Sequence, residues 1–127
     1  MADPETDAPA AAGPGGAETA PLALPALLAG GWDALPFEPF KPGIEIHRIR
    51  AADPAVALLR YAPGAAAPKH VHEGLETILV LSGAQSDENG TYETGALVLN
   101  PAGTVHSVWS DPGCVVLIQW EKPVRFL

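Results

Sequence analysis

Four side chains in this sequence could do chemistry together. His70 and His72 stand two residues apart, so in an extended strand both imidazoles point to one face. Glu76 has the same parity and joins them if the turn at Glu73-Gly74 keeps the chain near register. Further along, Pro101-Ala102-Gly103 turns the chain so that His106 enters a strand of its own. Neutral imidazoles with one carboxylate form a mixed nitrogen and oxygen donor set, suited to divalent iron, zinc, manganese, nickel or copper. A His-x-His pair alone more often marks an exposed or hydrogen-bonded face. Glu76 and His106 at matching offsets turn it into a candidate metal site.

Such a site needs strands to position it, and the text from Gly31 onward supplies them. Ile44 to His47 alternates apolar and polar residues, and the alternation slips at Arg48-Ile49. Ala55 to Tyr61 is more continuously apolar, and Leu75 to Leu81 runs as LETILVL up to Ser82-Gly83. Asp87-Glu88-Asn89-Gly90 is a hairpin signal. Ala96 to Leu99, Val105 to Trp109 and Cys114 to Trp120 complete the series of short strands. No long helical period interrupts them, so the fold class is all-β, a sandwich or barrel.

Residues 1–30 differ. They hold ten Ala, five Pro and four Gly, with four acids and no Lys or Arg. Such a segment buries too little apolar surface to offset its ordering entropy, and it reads as a disordered tail ahead of a single domain, 31–127. The stretch from Pro21 to Gly30 is more apolar, and a turn or two packed on the barrel or on a second subunit is the alternative there. With 127 residues and 47% hydrophobic residues, the chain can build one core. Its net charge of −8 argues against nucleic acid. The absence of a long apolar run and the acidic start argue against a membrane span or secretory signal, and a cytoplasmic location is expected. Cys114 is the single cysteine, which leaves no internal disulfide; between apolar neighbours it reads as a core residue rather than a reactive thiol.

The two site-bearing segments resemble the paired motifs of the cupin superfamily, G-x5-H-x-H-x(3,4)-E-x6-G and G-x5-P-x-G-x2-H-x3-N. Gly64, His70, His72, Glu76 and Gly83 match the first throughout. Gly95, Pro101, Gly103 and His106 match the second, with Ser110 in place of its final Asn. The hairpin at Ser86 to Gly90, the Asn100-Pro101 turn and Gly113-Cys114 look like the cupin domain of ChrR-type anti-sigma factors and their stand-alone relatives. The resemblance implies a double-stranded β-helix, or jelly-roll barrel, that often pairs into homodimers. It implies one divalent metal ion, Fe(II) or Zn(II) before Mn or Ni, on His70, His72, Glu76 and His106.

Within the superfamily some relatives carry sensory or structural zinc, and others are non-haem iron dioxygenases that cleave small diketones or hydroxyketones. An anti-sigma factor of this type has an additional helical, zinc-binding domain; a short tail without cysteine is not expected to serve as one. The preferred expectation is a dioxygenase-type enzyme with a small oxygenated substrate and Glu76 as a displaceable ligand or base. A regulatory zinc module or a metal-dependent isomerase or cyclase is the alternative. Tyr61, Val80, Trp109 and Gln119 are candidate pocket residues, with Gln119 equally readable as a satisfied core amide. His47, Lys69 and Glu73 read as solvated strand residues, Val108 and Trp120 as barrel filling or pocket wall, and Ser110 lacks a free base to make it a nucleophile.

Overall fold

In a computed structural model, which describes residues 20–127, ten strands form a curled, mainly antiparallel sheet. They are β1 (Glu38–Lys41), β2 (Ile44–Arg50), β3 (Ala55–Tyr61), β4 (Ala65–Val71) and β5 (Glu76–Asp87), then β6 (Gly90–Glu93), β7 (Leu97–Asn100), β8 (Val105–Ser110), β9 (Cys114–Trp120) and β10 (Arg125–Phe126). The lateral order is β1-β2-β3-β9-β5-β8-β4-β10, with β6 and β7 also paired to β5. Among the described residues no helix is long and apolar enough to cross a membrane.

Alternation sorts the side chains. Ile44 and Ile46 on β2, Ala57, Leu59 and Tyr61 on β3, Ile78 and Val80 on β5, and Val116, Ile118 and Trp120 on β9 fill the barrel. The slip in β2 is real: its register against β3 shifts between Arg48 and Arg50. β3 reads as continuously apolar because it is covered on both faces. Leu58 (0% exposed) clusters with Leu81 and Val115 on the outside of the barrel. Leu27, Trp32, Leu35 and Phe37 pack over them. Burying a leucine this completely contributes about 2–3 kcal/mol.

That cover bears on the expected tail. Residues 1–19 of it lie outside the described residues. Within the remainder, Leu27–Ala29 and Gly31–Ala34 are short 3-10 turns, and Leu27 is part of the outer cluster. These turns bring Leu27 onto an apolar face that it covers.

β5 joins the two halves of the barrel. Its first residues pair with β7 and β9, and Gly83 to Asp87 pair with β6, β8 and the start of β9. The change of partners follows a register shift between Val80 and Ser82. Gly83 sits there at φ 72°, and a Cβ on it would overlap the Gly113 carbonyl. Gly64 also has a positive φ, 83°, but its Cβ would meet open space. Gly64→Ala is therefore expected to cost about 1 kcal/mol for the left-handed backbone alone. Gly83→Ala adds the collision and is expected to cost about 3 kcal/mol or more. Urea unfolding of the two variants checks the difference.

Candidate metal centre

Strand register brings the four predicted residues together. His70 and His106 are directly opposite partners across β4 and β8. The β4 register shifts between Ala67 and His70, where Pro68 lacks an N–H to offer the ladder. His72 lies just beyond β4, held by backbone hydrogen bonds to Thr104 and from Gly103. Glu76 opens β5. All four are buried, His72 at 1% and Glu76 at 3% exposed. The three imidazole rings have centroids 4.6–5.1 Å apart, and one nitrogen of each lies within 4.8 Å of the others.

The outer nitrogen of every imidazole is anchored. His70 Nδ1 is 2.8 Å from the Pro68 carbonyl, which can only accept. His72 Nδ1 is 2.9 Å from Thr104 Oγ1, whose own proton goes to the Pro101 carbonyl at 2.7 Å. His106 Nδ1 is 3.1 Å from Asp87 Oδ2. Each contact makes Nδ1 the protonated nitrogen in the neutral ring and turns the Nε2 lone pair inward. Asp87 is itself fixed, its Oδ1 accepting from the Asn89 N–H at 2.8 Å and from the Tyr92 hydroxyl at 2.9 Å. The β5–β6 hairpin thus doubles as a support for His106.

Glu76 is held from both sides. Its neighbours in register are Asn100 on β7 and Trp120 on β9. The Asn100 amide donates to Oε1 at 2.9 Å, and the Trp120 indole donates to Oε2 at 2.7 Å. Oε1 also lies 3.1 Å from His72 Nε2 and 3.8 Å from His106 Nε2. Neither nitrogen is aligned with it for a hydrogen bond, and both are buried without a partner. Buried polar atoms in that state are rare. Inward lone pairs beside a carboxylate are what a divalent ion requires, so these residues fit one.

A cavity of about 30 Å³ adjoins the centre. His70, Glu76, Tyr61 and Gln85 contribute to its lining, with Phe40 and Phe126 among its apolar walls. Burial pushes the Tyr61 hydroxyl far above its ordinary range, which leaves it a proton donor beside Gln85. Of the other residues expected at a pocket, Val80 is buried core, and neither Trp109 nor Gln119 lines this cavity. Gln119 is exposed because Ile118 and Trp120 take the inward positions on β9. Trp109 alternates with the inward His106 and Val108. Residues that sequence reasoning passed over are Asp87, Asn100 and Thr104 as supports, and Gln85 in the wall. Trp120 was expected as barrel filling or pocket wall, and its bond to Glu76 was not.

The remaining candidates are quieter. Ser110 Oγ donates to the Ala84 carbonyl at 2.6 Å, and His47 contacts the Pro36 carbonyl at 2.9 Å. Glu73 pairs with Arg125, and Lys69 is exposed. Burial pushes the Cys114 thiol up to about 11, in keeping with a core residue.

This centre on this sheet defines a cupin barrel. More narrowly, a family model described as a ChrR cupin-like domain matches residues 28–123, and the chain belongs to that family. The anti-sigma-E factor ChrR of Cereibacter sphaeroides is 36% identical over 75 residues, which are 57% of this chain and 35% of that protein. The chain therefore spans about a third of this relative. Among solved structures, a chain of Rhodobacter sphaeroides SigE in complex with the anti-sigma ChrR aligns with TM-score 0.66 at 25% identity. That alignment covers 76% of this chain and 56% of the other. An acetylacetone dioxygenase from Acinetobacter johnsonii aligns with TM-score 0.68 at 15% identity, over 72% of this chain and 71% of its own, a likeness of fold alone.

Two outcomes follow from the anchoring. Asp87→Asn is expected to weaken Zn(II) or Fe(II) affinity about 10- to 100-fold with little change in the fold, measured by chelator competition. The second concerns pH. Burial lowers the His70 imidazole below its ordinary 6.5, against the pull of the Pro68 carbonyl and Glu76. Burial alone would raise the Glu76 carboxyl, but the His72 and His70 imidazoles and the Trp120 indole hold it below its ordinary 4.5. In both cases the unfolded chain binds the proton more readily, so stability is lost as pH falls. The loss starts near 6.5 for His70 and continues below 4.5 for Glu76. The melting temperature of metal-free protein is expected to fall as pH drops below about 6.5 and to fall further below about 4.5, followed by circular dichroism.

Proposed function

We propose that this protein is a metal-dependent cupin enzyme of the dioxygenase type, acting on a small oxygenated molecule such as a diketone or hydroxyketone. The observation that carries this reading is the cavity sharing His70 and Glu76 with the candidate centre, which gives a bound ion a face that is not protein ligand. His70, His72 and His106 would hold the ion with Glu76 as the fourth donor. When bound, Fe(II) would supply Lewis acidity toward a chelating carbonyl or enolate and a site for dioxygen chemistry. The chain's own residues do the rest. Three neutral imidazoles and one carboxylate leave a divalent ion with a residual positive charge that attracts an enolate. The Tyr61 hydroxyl and Gln85 amide are the polar groups that orient an oxygenated substrate. Phe40, Phe126 and Trp120 exclude water. Asn100 and Trp120 retain the Glu76 carboxylate in place if substrate takes its coordination position.

A second reading, a zinc-closed regulatory module, is favoured by the 36% identity to a named anti-sigma factor. Elemental analysis of protein purified without added metal, followed by oxygen uptake after iron loading, separates the two. The expected result is one ion per chain and oxygen uptake with acetylacetone or a hydroxyketone that His70→Ala lowers about 100-fold or more. Stoichiometric zinc with no uptake above that variant would overturn the enzymatic reading in favour of the regulatory one.

A further inference from the structure

A larger chamber of about 260 Å³ opens beside the metal-facing cavity. Phe40 and Trp120 line both, so the two spaces share a wall. Ile46 contributes to the apolar floor, and Arg48 and Arg50 are cationic groups in its lining. A chain with 15 acids and 7 basic residues has few cations to place, and two of them face one chamber. Asp53 is the carboxylate among the lining residues.

The two guanidiniums are positioned. Arg48 Nη1 donates to Glu38 Oε2 at 3.1 Å, and its Cζ lies 6.0 Å from the Phe40 ring centre. The Glu38 side chain is 64% exposed, so that ion pair holds the arginine only loosely. Arg50 Nε donates to the Pro54 carbonyl at 2.9 Å, which fixes the plane of its head group. An apolar floor, aromatic walls and planar cations fit an amphipathic anion, since a guanidinium fork matches carboxylate geometry. The inner cavity, at about 30 Å³, holds little more than a water, so any larger ligand of the centre must extend outward. Phe40 and Trp120 stand between the two spaces with ring centres 6.4 Å apart, so a ligand that reaches the chamber must pass between or displace these rings.

We infer that the ligand of this site is a small organic acid, its oxygenated end at the metal-facing cavity and its carboxylate in the outer chamber against Arg48 and Arg50. This deepens the proposed function and rests on its metal-facing cavity. A 260 Å³ space lies just below the range of drug-sized ligand pockets and admits a short aliphatic or single-ring acid.

The test uses the full chain loaded with Zn(II), which is redox-silent, and two probes: 4,6-dioxoheptanoate and its methyl ester. They share one β-diketone and differ in charge at the far end. By calorimetry, the acid is expected to bind about tenfold tighter than the ester, with the difference shrinking as salt is raised. Arg48→Gln with Arg50→Gln should cut the preference to about twofold without changing ester affinity, and the double Lys variant should restore part of it. Equal binding of acid and ester by the wild type, no binding of the acid, or a preference that survives the double Gln variant would overturn the inference. The ester reports separately on the inner cavity. If its binding is the same with and without Zn(II), the metal-facing reading fails while an arginine-dependent preference for the acid still supports the outer chamber.

Discussion

Three imidazoles crowd together in the interior of this barrel, and the direction in which each is anchored governs everything around them. Their Nδ1 atoms are tied outward, to the Pro68 carbonyl, to Thr104 and to Asp87. That leaves His72 and His106 with inward nitrogens that have no hydrogen-bond partner. An unpaired buried nitrogen costs free energy, and an apolar replacement would remove the cost. A donor set that bears it is built for something that binds there. The carboxylate beside these nitrogens follows the same plan, since Asn100 and Trp120 hold its two oxygens without aligning either to an imidazole.

The sheet is arranged to meet this demand. Glu76 is clamped by its two lateral neighbours because β5 lies between β7 and β9 at that residue. The same strand then changes partners at Gly83 and ends at Asp87, which supports His106. One strand therefore carries the acidic ligand candidate at its start and the histidine support at its end. Twelve residues in a single extended element fix the separation of these two groups more rigidly than a loop could.

The candidate donors were legible in the sequence because their spacing is local: His70, His72 and Glu76 lie within one short segment, and His106 follows its own turn. Most strands were legible from alternating or short apolar runs, down to the slip in β2, whereas the short β1 and β10 were not. The supports were not, because Asn100, Trp120, Thr104 and Asp87 meet their partners across strands, and pairing between strands is not written in either one alone. Gln119 and Trp109 are different. Simple parity with Ile118 and His106 places both away from the inward positions, and their polar or aromatic character was the weaker guide. β3 misleads in the opposite sense, since its apolar run from Ala55 to Leu59 reflects the residues 27–37 that cover Leu58 on its outer face.

A named regulator is related to this chain and a named dioxygenase shares its fold, so the fold leaves the choice of chemistry to the walls around the centre. Here Trp120 occupies the decisive position. Its indole N–H holds Glu76, and its ring borders both the inner cavity and the outer chamber. Phe40 is its neighbour in the wall the two spaces share, with ring centres 6.4 Å apart. Any occupant that displaces this ring also disturbs a 2.7 Å hydrogen bond to the carboxylate at the centre. A ligand seated against this ring would thus be linked to the position of Glu76 through one side chain, a link of use to a catalyst that must loosen its carboxylate and to a sensor that must register its ligand.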